Sequence, residues 1–415
     1  MPRNAQFSSP NHEPLANHTS FHLKHEQVTG PFSFLNPTRA HFKHTSTNGE
    51  QDPAEGNGVL ADDVEFKWRS RDNRKGRHTL VVEKPDDKKH AKYITPPQTN
   101  SFRGALAGIW RMCTQYPYWD VSYLVAFIFT WGSIIWVINS FFVWLPMVRP
   151  STEFNNEIYI GGGVTAFIGA TVFEIGSVLL MIEAINENRS GCFGWAIEQA
   201  LSGENERGFI MRLVPDKRHC RHHHQNKKNF VGKAAASARS SGEDNDGKGS
   251  ADDSQGQNWV WFPSWHELTH HYLREMGFLA SLSQFIGATI FWIAGFTGLP
   301  GIINHLSPGL EDGVYWTPQV VGGTGFIISG TLFMLETQPN WYTPAFGVLG
   351  WHIGFWNLVG AIGFTLCGAL GYSTNSGAEF ESSLATFWGS WAFLIGSAIQ
   401  WYESLDKHPV EVEEK

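Results

Sequence analysis

Phe167-Ile-Gly-Ala-Thr-Val-Phe-Glu-Ile-Gly-Ser177 recurs downstream as Phe285-Ile-Gly-Ala-Thr-Ile-Phe-Trp-Ile-Ala-Gly295, with seven of eleven positions identical. Three further segments keep the same frame: Val320-Val-Gly-Gly-Thr-Gly-Phe-Ile-Ile-Ser-Gly330, Leu358-Val-Gly-Ala-Ile-Gly-Phe-Thr-Leu-Cys-Gly368 and Phe387-Trp-Gly-Ser-Trp-Ala-Phe-Leu-Ile-Gly-Ser397. A sixth, Phe129-Thr-Trp-Gly-Ser133, keeps only the second half. Small residues thus recur in adjacent pairs seven apart. Seven residues are nearly two helical turns, so Gly169, Gly176 and Ser177 fall on one stripe of their helix, and Gly287, Gly322, Gly360, Gly389 and Gly396 on the same stripe of theirs. Apolar helices with such stripes pack by close backbone approach in a bilayer, where no water drives association.

Working outward, apolar stretches cover about 121–145, 158–184, 278–299, 320–336, 350–371 and 384–402. Each is near the roughly 20 residues that cross a hydrocarbon core. The averages look soluble, with mean hydropathy -0.22 and 17% charged residues, but the distribution does not. Of 31 Lys and Arg, none lies between Arg274 and Lys407, a stretch too long for a soluble surface without a cation. Aromatic content of 14%, with 18 Trp and 43 Gly, also favours membrane spans and their interfaces.

The expected fold is therefore all-α: a polytopic six-helix transmembrane bundle built from repeated helices, with a disordered cytosolic N-terminal region and a cytosolic loop. Residues 1–120 form the N-terminal region, whose first 63 residues lack apolar periodicity. Within it a hairpin is expected at 64–94 around a basic turn (Lys67, Arg69, Arg71, Arg74, Lys75, Arg77), and residues 100–113 read as an amphipathic helix on the membrane surface. Residues 121–184 are the first transmembrane hairpin, 185–277 a polar loop with a low-complexity segment, 278–402 a four-helix transmembrane region, and 403–415 a C-terminal tail. Basic residues concentrate before Asp120 and between Arg189 and Arg274, which places both termini and the long loop in the cytosol. The four cysteines lack metal-type spacing and are expected as free thiols.

The Gly-Ser-centred spans (Gly132-Ser133-Ile-Ile-Trp136, Gly176-Ser177-Val-Leu-Leu180, Gly389-Ser390-Trp-Ala-Phe393) resemble the YrhK-like family of small membrane proteins, built from paired helices. With Gly298-Leu-Pro-Gly301 and Trp351-His-Ile-Gly-Phe355, the chain also resembles multi-pass integral membrane proteins of filamentous fungi. The resemblance implies fold and topology, and carries no activity.

Polar residues at membrane depth are the candidate sites. Glu183, Glu336 and Glu403 each follow the second small pair of an even-numbered span by seven residues, at its cytosolic boundary. A carboxylate at a helix C-terminus opposes the macrodipole and calls for compensation, with Arg103, Arg111, Arg274 and Lys407 as candidate partners and headgroup-level anchoring as the plainer role. Glu174 lies roughly 13 Å deeper at 1.5 Å per residue. With His352 and Gln284 it makes a candidate intramembrane polar site.

His266-Glu267-Leu-Thr-His270 has the zinc-protease spacing but no third ligand at a suitable distance, and His219 to His224 is a weak metal-binding tract. The favoured reading assigns no catalytic residue, metal or cofactor: a non-enzymatic multi-pass protein for membrane organisation or sensing. Its expected partners are the lipid bilayer and cytosolic proteins bound through the N-terminal region and the 185–277 loop, with no nucleic acid. The alternatives are a small-solute transporter using Glu174 and His352, and a zinc metallohydrolase using His266, Glu267 and His270.

Overall fold

The computed structural model describes residues 21–23, 27–44, 64–77, 80–83, 101–187, 189–192, 259–407 and 409–413. The α-helices of five residues or more are α1 Ser70–Arg74, α2 Phe102–Thr114, α3 Val121–Val148, α4 Gly163–Ile185, α5 Trp265–His270, α6 Met276–Thr297, α7 Thr317–Glu336, α8 Leu349–Gly371 and α9 Ser376–Ser404. The strands are β1 Phe21–Leu23, β2 Arg39–His44, β3 Val64–Arg69, β4 Leu80–Glu83 and β5 Val410–Glu413. The low-complexity loop and the tract His219 to His224 lie outside the described residues.

Each of α3, α4, α6, α7 and α8 packs on the next long helix, and α9 packs back on α3, so the six close a ring. Five of them, α3, α4, α6, α7 and α8, are long and apolar enough to cross a membrane, α4 and α7 together with the π-helical turns before them; α9 is not among these five. The ring has the burial pattern of a protein surrounded by lipid. Trp131, Ile138, Ile168, Ile175, Ile286, Ile293, Val321, Ile328, Leu366 and Ile395 face outward, whereas Ser133, Ser177, Ser329, Ser390 and Ser397 are buried. An apolar exterior running around the whole ring far exceeds what a soluble monomer exposes.

Inside, each helix sends one aromatic ring to a common layer: Trp136, Phe173, Phe291, Phe326, Phe364 and Phe393. Five of these stand four residues after the first small residue of their segment. Trp136 stands four after Gly132, so Gly132-Ser133 occupies the place of the first small pair, not the second. In that frame Asn139-Ser140, both buried, stand where the second small pair of the other segments does. Asn139 there donates to the Gly162 carbonyl (2.6 Å) and Thr165 (2.9 Å), tying α3 to α4.

One end of the ring is capped by a five-stranded sheet in the order β1-β2-β3-β4-β5. The expected hairpin is present as β3 and β4, antiparallel with Val64 opposite Val82 and Phe66 opposite Leu80. Two expectations need correction. The region 1–63 is not structureless throughout, because β1 and β2 join the sheet and Val28, Ala40, Phe42 and Trp68 form a small core under it. Nor is 403–415 a free tail, since β5 pairs in parallel with β4. The sheet is a small addition of five short strands, and the described fold is helical almost throughout, as expected.

Helix α2 lies where an amphipathic surface helix was expected. Phe102, Leu106, Ile109 and Trp110 are exposed, while Gly108 packs on the Tyr402 ring of α9. Cys113 and Cys367 are free thiols.

Candidate functional site

The site is built by a loop too polar to enter a membrane and too well paired to leave. Between β3 and β4 the chain reads Ser70-Arg-Asp-Asn-Arg-Lys-Gly-Arg77. It forms one helical turn and reverses at Gly76, whose φ of 61° suits glycine and whose missing side chain makes room for the Ser190 hydroxyl. Arg77 fixes the turn by donating to the Asp72 carboxylate (2.7 Å), and its backbone N–H donates to the Asp72 carbonyl (2.8 Å).

From this turn four cations reach the ends of α4, α7 and α9. Arg71 donates to Glu403 at 2.7 Å, Arg77 donates to its other oxygen at 3.1 Å, and the Lys75 ammonium is 3.5 Å away. Arg74 grips Glu336 with two bonds, 2.7 and 3.0 Å, which Ser70 supplements at 2.9 Å. The Arg74 Nε lies 3.6 Å from Glu183. Glu183, Glu336 and Glu403 are at most 2% exposed, so none of them is a headgroup anchor. The candidate partners are corrected as well. Arg111 pairs with Asp406 (3.4 Å) and Lys407 with Asp120 (2.7 Å), while the three glutamates are answered by Arg71, Arg74, Lys75 and Arg77.

The helices that start at the capped end make space for this knot. A Cβ on Gly277, at the start of α6, would fall 1.6 Å from an Arg74 nitrogen. One on Gly350, at the start of α8, would fall 2.5 Å from Arg71. The equivalent position of α3 is Ser122, fully buried. Small residues thus begin α3, α6 and α8 while glutamates end α4, α7 and α9, in alternation around the capped end.

Burial alone would lower the basicity of Arg74, but the charges of Glu336 and Glu183 more than reverse this and hold it above its ordinary value. Lys75 goes the other way: burial pushes it down to about 8 despite Glu183 and Glu403. Beside the knot, partly buried Glu187 accepts from Asn73 (3.1 Å) and is raised to about 7, by burial first and then by Glu336 against the pull of Arg74. Glu275, which accepts from Asn36, is also held well above the carboxylate range by burial and the charge of Glu187.

Under the knot lies a chamber of about 40 Å³. Its floor is the aromatic layer, through Phe173 and Phe393, and its roof is Arg71, Arg74 and Lys75. Polar side chains from the ring line the wall: Ser133, Gln284, Ser329, Asn357, Ser397 and Gln400. Of the three residues expected to form an intramembrane polar site, only Gln284 lines it. Glu174 sits between α4 and α6, accepting from Thr289 (3.0 Å), and His352 bonds the Phe346 carbonyl (2.8 Å).

The His266 and His270 rings stack 4.2 Å apart on an exposed face, and Glu267 closes a capping box with Ser264 at the start of α5. Among the described residues no three His, Cys, Asp or Glu side chains converge on a metal-sized site. Compared with known proteins, the chain matches no family model, no curated protein and no solved structure at a significant level.

Proposed function

We propose that this chain is a non-enzymatic membrane protein that couples a cytosolic cap to a ring of six spanning helices, serving membrane organisation or sensing. Helix α9 counts as the sixth span because it closes the ring between α8 and α3, with Trp, Ser and Gln lowering its hydropathy. The helices act as six copies of one small-pair unit, and a YrhK-like kinship of the paired helices rests on the same Gly-Ser-centred segments. The capped end faces the cytosol by the distribution of Lys and Arg.

One observation carries the coupling: side chains of a single turn, Arg71 to Arg77, hold the buried ends of α4, α7 and α9 together. A partner that moved the sheet would have to move those ends too, because leaving any of these charges unpaired in the interior is costly. Hydrogen exchange on full-length protein in lipid nanodiscs tests the reading. Arg71→Met should raise exchange in the ring around Glu336 and Glu183 as well as next to Glu403. If the increase stays confined to residues 64–77 and the end of α9, the cap merely decorates the ring.

Transport is the second reading, and the polar chamber favours it. Glu174 and His352, outside the chamber, would then not be its route. Efflux of small solutes from reconstituted liposomes would favour transport over coupling.

A further inference from the structure

We propose that the chamber beneath the cap is a binding site for a small monovalent inorganic anion of the halide class. This goes beyond the coupling reading and does not depend on it. The charged groups lining the chamber are Arg71, Arg74 and Lys75, and no carboxylate lines it. The rest of its polar wall consists of hydroxyl and amide groups, which can turn donors inward. Two of the polar groups are unused. Among the described residues the Lys75 ammonium, 1% exposed, makes no hydrogen bond; a Glu403 oxygen stands 3.5 Å away and Glu183 acts on it through its charge. The Ser329 hydroxyl, also 1% exposed, makes none either. Buried donors are rarely left without partners, and an ammonium least of all.

The size of the chamber limits the occupant. A water needs about 10–15 Å³ of such space, so the chamber holds roughly three waters, or a halide with part of its shell. A phosphate ester, a nucleotide or a carboxylic acid with a carbon chain is too large. The lining offers a metal cation no carboxylate, and the charged side chains that reach it are all cations. The amide and hydroxyl groups come from α3, α6, α7, α8 and α9, so the anion would be gripped by the ring and by the cap at once.

Thermal unfolding of the full chain in nanodiscs, in potassium chloride against potassium gluconate at equal ionic strength, reads this site. Ligand linkage predicts a rise that grows with the logarithm of chloride above Kd and is on the order of 5 °C at a hundredfold excess. Lys75→Met should abolish the chloride-dependent rise. Asn357→Asp tests the same site without removing a cap residue: it keeps shape, puts a negative charge in the wall, and should abolish the rise as well. A wild type indifferent to chloride, or variants that both respond as wild type does, would overturn the proposal.

Discussion

Gly277 and Gly350 are glycines for what they leave empty. Each opens a helix where an arginine of the cap crosses it, and a methyl group on Gly277 would occupy the place of the Arg74 guanidinium. Gly277→Ala should therefore displace Arg74 from Glu336 and cost about 1–3 kcal/mol, the usual penalty for overpacking, measured as a drop in unfolding midpoint. The three glutamates should differ among themselves. Glu403 faces Arg71, Arg77 and Lys75, so Glu403→Gln leaves buried cations short of a partner and should cost about 3–5 kcal/mol. The carboxylate of Glu183 accepts no hydrogen bond, so Glu183→Gln should be much milder. Equal midpoints for these two variants would contradict the pairing. The glutamates were legible in the sequence because seven-residue spacing marked them. Their partners were not, because spacing along a helix says nothing about which distant loop folds onto its end. Four cations within seven residues, framed by two short apolar strands, were the available signal.

At the scale of the helix, the small pairs do what their period implied. Gly287 and Gly322 come close enough for a Cβ on either to meet the other's carbonyl oxygen below 3 Å, and Gly360 seats the Phe393 ring. Gly176 is more tolerant, with the Phe129 ring 3.1 Å from where a Cβ would stand. Gly176→Ala should then be tolerated after a small shift of that ring, whereas Gly176→Leu should cost about 1–3 kcal/mol of bundle stability. Indistinguishable thermal stability of the two in detergent would mean that Phe129 does not sit there. In the sequence the frame of the first span is ambiguous by seven residues, for a plain reason. A heptad pattern looks the same after a shift of one heptad, and only the third-dimensional meeting of Trp136 with Phe173, Phe291 and Phe364 breaks the tie. The strands β1, β2 and β5 escaped the sequence for a different reason. They are short, and each is held by pairing with a strand outside its own segment, β5 with β4 across most of the chain, which no local pattern records.

For the molecule as a whole, the cap brings strands β1 to β4 and β5 together at the ring, and its titratable groups make that junction sensitive to pH. Glu187, raised to about 7 from an ordinary 4.5, binds more protons in the folded than in the unfolded protein between those values. Its contribution is thus fully present below about 4.5 and is lost as pH rises through 7. Glu275, raised by burial and by Glu187, acts in the same direction. Lys75, lowered to about 8 from 10.5, binds fewer protons when folded across that interval, so stability recovers as pH rises from 8 toward 10.5. The attachment of the cap should accordingly be weakest between about pH 7 and 8 and firmer on either side. Hydrogen exchange of amides 64–77 and 410–413, corrected for intrinsic rates, should trace that minimum in protection. Glu187→Gln should flatten the acid side and Lys75→Met the alkaline side. The two limbs have different owners, Glu187 beside Asn73 and Lys75 beside Glu403, so removing one should leave the other in place. An acid limb that survives in Glu187→Gln at full size would assign it to Glu275 alone, and one that survives in Glu187→Gln with Glu275→Gln would remove it from the cap altogether.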